Sequence, residues 1–384
     1  MNVVPLAEFV ARRSVEWEAL LQAAPSATFF QRREWLAAWA AHATEARDCV
    51  MAWRETGGKL TAGLPLQRGR GTIGRWRLDK WEVAGAPWLD RVDVARVDDA
   101  AGAAFVAELI DWLLSQRRGW TVFDLREATA GGFLVEAVAR EAAARRLRVE
   151  RRICSQAPCF EFGRVGVRPP SANLRSQLAR AAKRLAAAGR LEIAFQRPAA
   201  GTSAADAALE QLLDECAAVE KLSWKGRSDA GILSRSRPAA FFRPLFRALA
   251  GAGRFALGTL HVDGVLHAYH LGFLHDGAFL SYNLANRPEL QEHGPGTLLL
   301  QSLAEQGGAL GLSRLDGSRG ELERPHLLHR YGGPLRQHEQ LLIWRPGARG
   351  AAVHVARTLV LPRLRRAKAA VKRLARRGPR GGTP

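Results

Sequence analysis

In this 384-residue chain, residue types and spacing point most directly to chemistry in Gln291-Glu292-His293-Gly294-Pro295-Gly296-Thr297. The stretch joins a strand expected over 278–285 to a helix expected over 297–309. Two glycines at a helix entrance let the backbone approach a ligand closely, and the free N–H groups with the positive helix end favour phosphate. A plain tight turn is the alternative use. A dinucleotide-binding unit would run a parallel strand straight into GxGxxG, and a Walker loop would need Gly-Lys-Ser/Thr; neither pattern is present. His326 and His329 with Glu321 and Glu323 could suggest a metal. Their H-x-x-H spacing lacks the Glu and the helical context of a zincin, so a loop is expected instead. Cys49, Cys154, Cys159 and Cys216 form neither a disulfide framework nor a zinc half-site, and they read as reduced thiols.

The elements that would position the glycine turn follow from periodicity and punctuation. Helices are expected at 14–24, 31–42, 101–117 and 132–146, with strands at 48–54, 59–66, 75–83, 120–126 and 147–153. The pair Pro169-Pro170 marks a linker over 165–170. Beyond it, Ser171 caps a helix with the apolar stripe Leu174, Leu178, Ala181 and Leu185. A strand at 191–196 and helices at 205–222 and 238–250 come next. Three strands at 254–262, 265–274 and 278–285 are joined by Asp263-Gly264 and Asp276-Gly277, both hairpin turns. Strands at 312–316 and 339–345 complete the pattern. Helices therefore flank a mainly antiparallel sheet twice, an α+β chain with one domain over 1–165, a second over 166–347 and a tail over 348–384.

Composition bounds the class. An apolar fraction of 47% and a charged fraction of 24% exclude a disordered chain. Net charge is +20, and ten Lys or Arg with no acid fall between Arg357 and Pro384. Val360, Leu361, Leu364, Val371 and Leu374 interleave with those cations. A basic amphipathic helix that lies on an anionic membrane surface is one reading of 357–380, and a solvated basic tail is the other. The N-terminus has no cationic segment before its apolar stretch, and no uninterrupted apolar run reaches membrane-spanning length, so a cytoplasmic protein, at most peripheral at the inner membrane face, is expected.

Gln291-x-x-Gly294-x-Gly296 resembles the Q/R-x-x-G-x-G/A pyrophosphate loop of the GNAT acyltransferases. The second half is similar to one branch, the bacterial acetyltransferases associated with cellulose and exopolysaccharide biosynthesis, relatives of the Fem-type peptidyltransferases. The matching pieces are the basic helix Arg175–Arg184, Glu220-Lys221-Leu222-Ser223-Trp224-Lys225-Gly226, Gly294-Pro295-Gly296, and Leu315-Asp316-Gly317-Ser318 followed by His329-Arg330-Tyr331. The first half matches more loosely, through Phe30–Trp35 and Ala62–Leu66.

The resemblance implies two GNAT-like domains and an acyl-CoA, acetyl-CoA above all, held where the fourth and fifth strands splay. Asn283, Leu284 and Ala285 would pair with the pantetheine amides. Gln291, His293, Gly294, Gly296 and Thr297 would hold the pyrophosphate. Asp316 or His270 would act on the acceptor proton, unless they are a turn Asp and a satisfied sheet histidine. Tyr331 would protonate the thiolate, or simply pack under a lid. Glu220, Trp224 and Lys225 would wall the acceptor site, with Tyr282 beside the thioester; a capped helix end and strand packing are the bland readings. Arg175, Arg180, Lys183 and Arg184 could grip phosphates or form a solvated face.

The expected activity is acyl transfer from acyl-CoA to an amine or hydroxyl of a saccharide or envelope precursor, with no metal and no nucleic-acid partner. The alternatives are a Fem-type transferase using aminoacyl-tRNA, and a non-enzymatic polyanion-binding protein.

Overall fold

The computed structural model describes residues 1–42, 48–73, 76–116, 119–162, 171–228, 230–323, 327–331, 333–360 and 363. The expected linker 165–170, His326 and most of the basic tail lie outside these residues.

The first half comprises β1 (Asn2–Pro5), α1 (Leu6–Ala23), α2 (Arg33–His42), β2 (Cys49–Thr56), β3 (Lys59–Ile73), β4 (Trp76–Val83), β5 (Ala95–Arg96), α3 (Asp99–Ser115), β6 (Val122–Thr129), α4 (Phe133–Ala144) and β7 (Arg148–Glu161). The second half comprises α5 (Ala172–Ala188), β8 (Leu191–Gln196), α6 (Ser203–Leu222), α7 (Ser236–Gly251), β9 (Phe255–Val262), β10 (Val265–His275), β11 (Ala278–Asn286), α8 (Pro295–Gln306), β12 (Arg314–Asp316), β13 (Leu335–Trp344) and α9 (Ala348–Val355).

Local chemistry accounts for many of these bounds. Ser171 accepts from the Leu174 amide at 3.2 Å and starts α5, whose Leu174, Leu178 and Leu185 are buried. Thr202 caps α6 in the same way. Asp263-Gly264 and Asp276-Gly277 all have positive φ, so the β9–β10 and β10–β11 hairpins turn as the dipeptides predict. Three strands run further than their apolar patterns suggest: β3 to Ile73, β7 to Glu161 and β13 back to Leu335. β1 and the first turns of α1 carry too short a pattern to be read from sequence.

One mixed sheet runs through the molecule in the order β1-β2-β3-β4-β6-β13-β7-β12-β11-β10-β9-β8. Its two ends have the same plan. β1 to β4 are antiparallel neighbours, and β4 meets β6 in parallel after the α3 crossover. β8 to β11 repeat this, and β11 meets β12 in parallel after the α8 crossover. The closing strands are exchanged. β13, late in the chain, pairs with β6, while β7 pairs with β12, and β13 and β7 pair with each other.

A continuous core joins the halves. Trp35 of α2 packs edge-on against Phe241 of α7 at 5.3 Å, and Phe29 stacks on Phe273 of β10 at 4.3 Å. On the other sheet face, α5 and α8 bury Leu174, Leu178, Leu298 and Leu299 against Ala268.

Candidate active site

β11 and β12 pair only from Ala278–Arg314 to Leu280–Asp316. Beyond Leu280, β11 continues to Asn286 paired with β10 alone. Its other edge is open, the situation in which an extended ligand can add as a further strand. A bulge at the same point, with Leu271 opposite Asn283 and Gly272 opposite Ser281, turns both Tyr282 and Asn283 toward α6 and α7.

The open edge leads to the glycine turn. Gln291–His293 form a single 3-10 turn, Gly294 takes φ +63°, and Pro295 begins α8. Left-handed backbone explains Gly294. Gly296 answers to space: a Cβ there would stand 3.1 Å from Leu284 Cδ2 and 3.7 Å from Asn286 Oδ1. A cavity of about 370 Å³ opens beside this turn, lined by His293, Gly294, Thr297, Arg180, Arg184 and Arg330. Two of the four cations singled out on α5 thus face the helix start, an arrangement suited to a pyrophosphate.

On the opposite side of β11 lies a larger cleft of about 1660 Å³ shared by both halves. Trp39, Trp88 and Tyr282 supply aromatic surface, and Arg68, Arg126 and Arg319 supply charge. Asn283, Trp224 and Lys225 also line it. Trp224 is 57% exposed, with Lys225 Nζ 5.8 Å from its ring centre. Burial lowers Lys225 to about 8, against the opposing pull of Glu220.

Other expected site residues lie elsewhere. Glu220 is fully buried and its carboxylate accepts from the amides of Ile232, Leu233 and Ser234, from Ser234 Oγ, Tyr269 Oη and Asn283 Nδ2. Burial alone would raise its pKa, but these donors outweigh it and hold the group below its ordinary value. The carboxylate is spent on pinning the 231–234 loop to the sheet, which leaves it nothing for an acceptor amine. Asp316 accepts from Arg91 Nη2 at 2.6 Å, Arg336 Nη1 at 2.8 Å and the Ser318 amide at 2.8 Å. It is the pin between the halves. His270 is buried on β10 with Nε2 2.7 Å from Ser281 Oγ and its ring against Phe279. Tyr331 is buried against Phe160, and burial raises its phenol. Leu284 and Ala285 stand on the open stretch of β11, Ala285 with its side chain in the core.

The cleft floor also holds groups that no sequence pattern marks. Opposite Gln340 of β13, β6 carries the bulged pair Arg126–Glu127, and opposite the step His338–Glu339, β7 carries an extra Cys154. These adjacent bulges bring Glu127 (φ +62°) and Ser155 into the cleft, where the Ser155 hydroxyl donates to Glu127 and sits 2.9 Å from His338 Nδ1. Asp90 accepts from Ser318 Oγ at 2.9 Å and pairs with Arg319 at 3.3 Å. Burial raises both Asp90 and Glu127 above ordinary carboxylate values. Among the described residues, no cluster of three or more His, Cys, Asp or Glu side chains could hold a metal ion.

Residues 172–324 match the family model of the acetyltransferase (GNAT) domain. The matched segment spans α5 through β12 and contains the open edge, the glycine turn and Asp316. The whole chain has a GNAT-like fold, a mixed sheet flanked by helices. Among solved structures it is similar to FemX, at 10% identity and a TM-score of 0.56 over 88% of this chain and 97% of that one. It is also similar to the C-terminal domain of a putative lysylphosphatidylglycerol synthetase from Agrobacterium fabrum (10% identity, TM-score 0.51, 90% and 97% covered). L-PGS from Bacillus licheniformis is alike at 10% identity and TM-score 0.51, over 90% and 95%. At such identities the likeness is one of fold. No curated protein sequence matches the chain.

Proposed function

We propose that the protein transfers an acyl group from acyl-CoA, acetyl-CoA in the simplest case, to an amine or hydroxyl of an acceptor in the inter-half cleft. The observation that carries this reading is the open edge of β11 beyond Leu280, with the arginine-lined cavity at the start of α8 on one side and the large cleft on the other. The pyrophosphate would rest at the Gly294–Thr297 turn, countered by Arg180, Arg184 and Arg330. The pantetheine amides would pair along 283–285, which leads the thioester toward Tyr282 and Asn283. The acceptor would approach across the aromatic wall, a surface suited to the apolar face of a sugar ring, so a saccharide or envelope precursor remains the acceptor class we favour. Acyl transfer then needs one proton removed from the nucleophile and one delivered to the thiolate. Attachment to an anionic membrane through the basic tail would bring the enzyme to such acceptors.

Calorimetric titration with acetyl-CoA and free CoA tests the donor. Binding should be direct, and Gly296→Val should weaken it more than tenfold, about 1.4 kcal/mol. A wild-type protein that ignores CoA and binds tRNA in a salt-sensitive way would overturn the reading in favour of an aminoacyl-tRNA donor.

A further inference from the structure

The two halves share a plan, so the connection from β4 to α3 in the first half is the topological counterpart of the glycine turn between β11 and α8. It cannot serve phosphate as that turn does. Asp98 caps α3 by accepting from the Ala101 amide at 2.7 Å, and Asp99 adds a second carboxylate in the first turn. Both acids would repel an anion at that helix end. The connection instead reaches across to the second half. Arg319 donates to the Pro87 and Leu89 carbonyls at 3.1 and 3.3 Å. Arg91 holds Asp316 and the Ser318 carbonyl, and the Val92 amide donates to the Glu127 carbonyl at 2.9 Å. These contacts place Asp90 beside the point where β11 and β12 part: its carboxylate is bonded to Ser318 Oγ, and the Ser318 amide is bonded to Asp316, the last residue of β12. Asp90 lines the cleft with Tyr282 and Asn283, and Tyr282 donates to the Trp88 carbonyl two residues away.

We infer that Asp90, supplied by the first half, is the catalytic base that takes the acceptor's proton. This rests on the acyl-CoA reading above. In the step, the acceptor nitrogen or oxygen forms a bond to the thioester carbonyl carbon as its proton passes to an Asp90 oxygen. The C–S bond breaks, the thiolate leaves and gains a proton from solvent, and Asp90 returns its proton to solvent. Acyl-CoA and H–X–R become acyl–X–R and CoA-SH. The carboxylates Asp316 and Glu220 on the second half are more fully engaged, Asp316 by two guanidiniums and Glu220 by its donors, and neither lines the cleft as Asp90 does. The charged and titratable groups that set the protonation of Asp90 are Arg319, Arg91, Asp316, Tyr282 and Glu127. Burial comes first among the influences on Asp90 and favours the neutral acid, so activity should fall on acidification in a limb set by this residue.

The test follows thiol release from acetyl-CoA by the full-length protein, with glucosamine, ethanolamine or water as acceptor, beside calorimetry with CoA. Asp90→Asn should lower release at least 100-fold with CoA affinity within threefold of wild type, and Asp90→Glu should restore a tenth or more. Ser318→Ala, which removes one donor to the carboxylate, should shift the acid limb of kcat/KM to higher pH, an effect that a purely structural Asp90 would not produce. This second variant decides the matter if Asp90→Asn fails to fold. Release by Asp90→Asn within threefold of wild type, an unmoved limb in Ser318→Ala, or a wild-type protein that binds CoA yet releases no thiol would each overturn the assignment. Absence of CoA binding would fail the donor reading itself, a separate result.

Discussion

At the scale of single residues, the buried ionisable groups divide into those that hold the fold and those that face the cleft, and pH separates them. Glu220 has its pKa lowered in the fold, so between that value and the unfolded one, about 4.3, the unfolded chain binds more protons. Its stabilisation is therefore complete above about pH 4.3 and is lost as pH falls through the folded value. His338 is pushed down to about 2 by burial and by Arg91, Arg336 and Arg319. The unfolded imidazole protonates near pH 6.5 while the folded one stays neutral, so stability also declines with falling pH, but from about 6.5 downward. Chemical denaturation as a function of pH should show an acid-side slope that begins near pH 6.5. Substituting His338 by Gln should make the upper part of that slope shallower, with His42, His267 and His275, also lowered by burial, supplying the remainder. Glu220→Ala should cost about 3 kcal/mol or more at neutral pH, because the Ile232, Leu233 and Ser234 amides, Tyr269 and Asn283 lose their acceptor together. A loss under 1 kcal/mol would mean that the loop finds other acceptors.

At the scale of elements, the two glycines at the start of α8 are required for different reasons, and the same substitution should expose this. Gly294→Ala places a Cβ on left-handed backbone, at a cost of about 1–2 kcal/mol in stability, although nothing crowds the position closer than 4.0 Å. Gly296→Ala keeps helical backbone and should cost little stability, yet its methyl pushes toward Leu284 on the open strand and should weaken CoA. Thermal melts and CoA titrations of the two variants would show the pattern; equal effects on both quantities would defeat it. This turn was legible in sequence because its chemistry is local: a strand, two glycines and a helix lie within about 30 residues. The Asp-Gly hairpins were legible for the same reason. Asp90 was not, since its partners Ser318 and Arg319 lie more than 200 positions away and no periodicity links them. The reach of β7 to Glu161 and of β13 back to Leu335 was hidden likewise, because residues 154–161 and 335–338 alternate poorly and are held by neighbours from the other half. Asp316 and Glu220 were legible as special residues, but only their partners reveal that one pins the halves and the other pins a loop.

At the scale of the molecule, charge and connectivity make separable predictions. Eight of the Lys and Arg lie beyond residue 363, so removing 364–384 lowers the net charge from +20 to +12. Each cation near an anionic surface contributes about 1 kcal/mol, screened over about 8 Å at physiological salt. That truncation should abolish sedimentation with phosphatidylglycerol vesicles and leave CoA binding intact; persistent sedimentation would place the contact on the body.

A truncation before β13 should behave quite differently. β13 lies between β6 and β7, and its Trp344 and Leu342 pack with Val353 of α9, Val122 and Leu78. Without it, the first half would present two bare strand edges and an opened core, a template for aggregation rather than a free-standing domain. The exchange also predicts how the intact chain unfolds. Neither half can complete its sheet without a strand from the other, and Asp316 joins Arg91 across the boundary and Arg336 on the exchanged strand β13. The full chain should therefore melt in one calorimetric transition despite its two similarly built halves, with van't Hoff and calorimetric enthalpies agreeing. Arg91→Ala, which leaves Asp316 short of a buried partner, should lower that single transition by several degrees without splitting it. Two resolved transitions, in the wild type or in this variant, would show that the exchanged strands do not couple the halves.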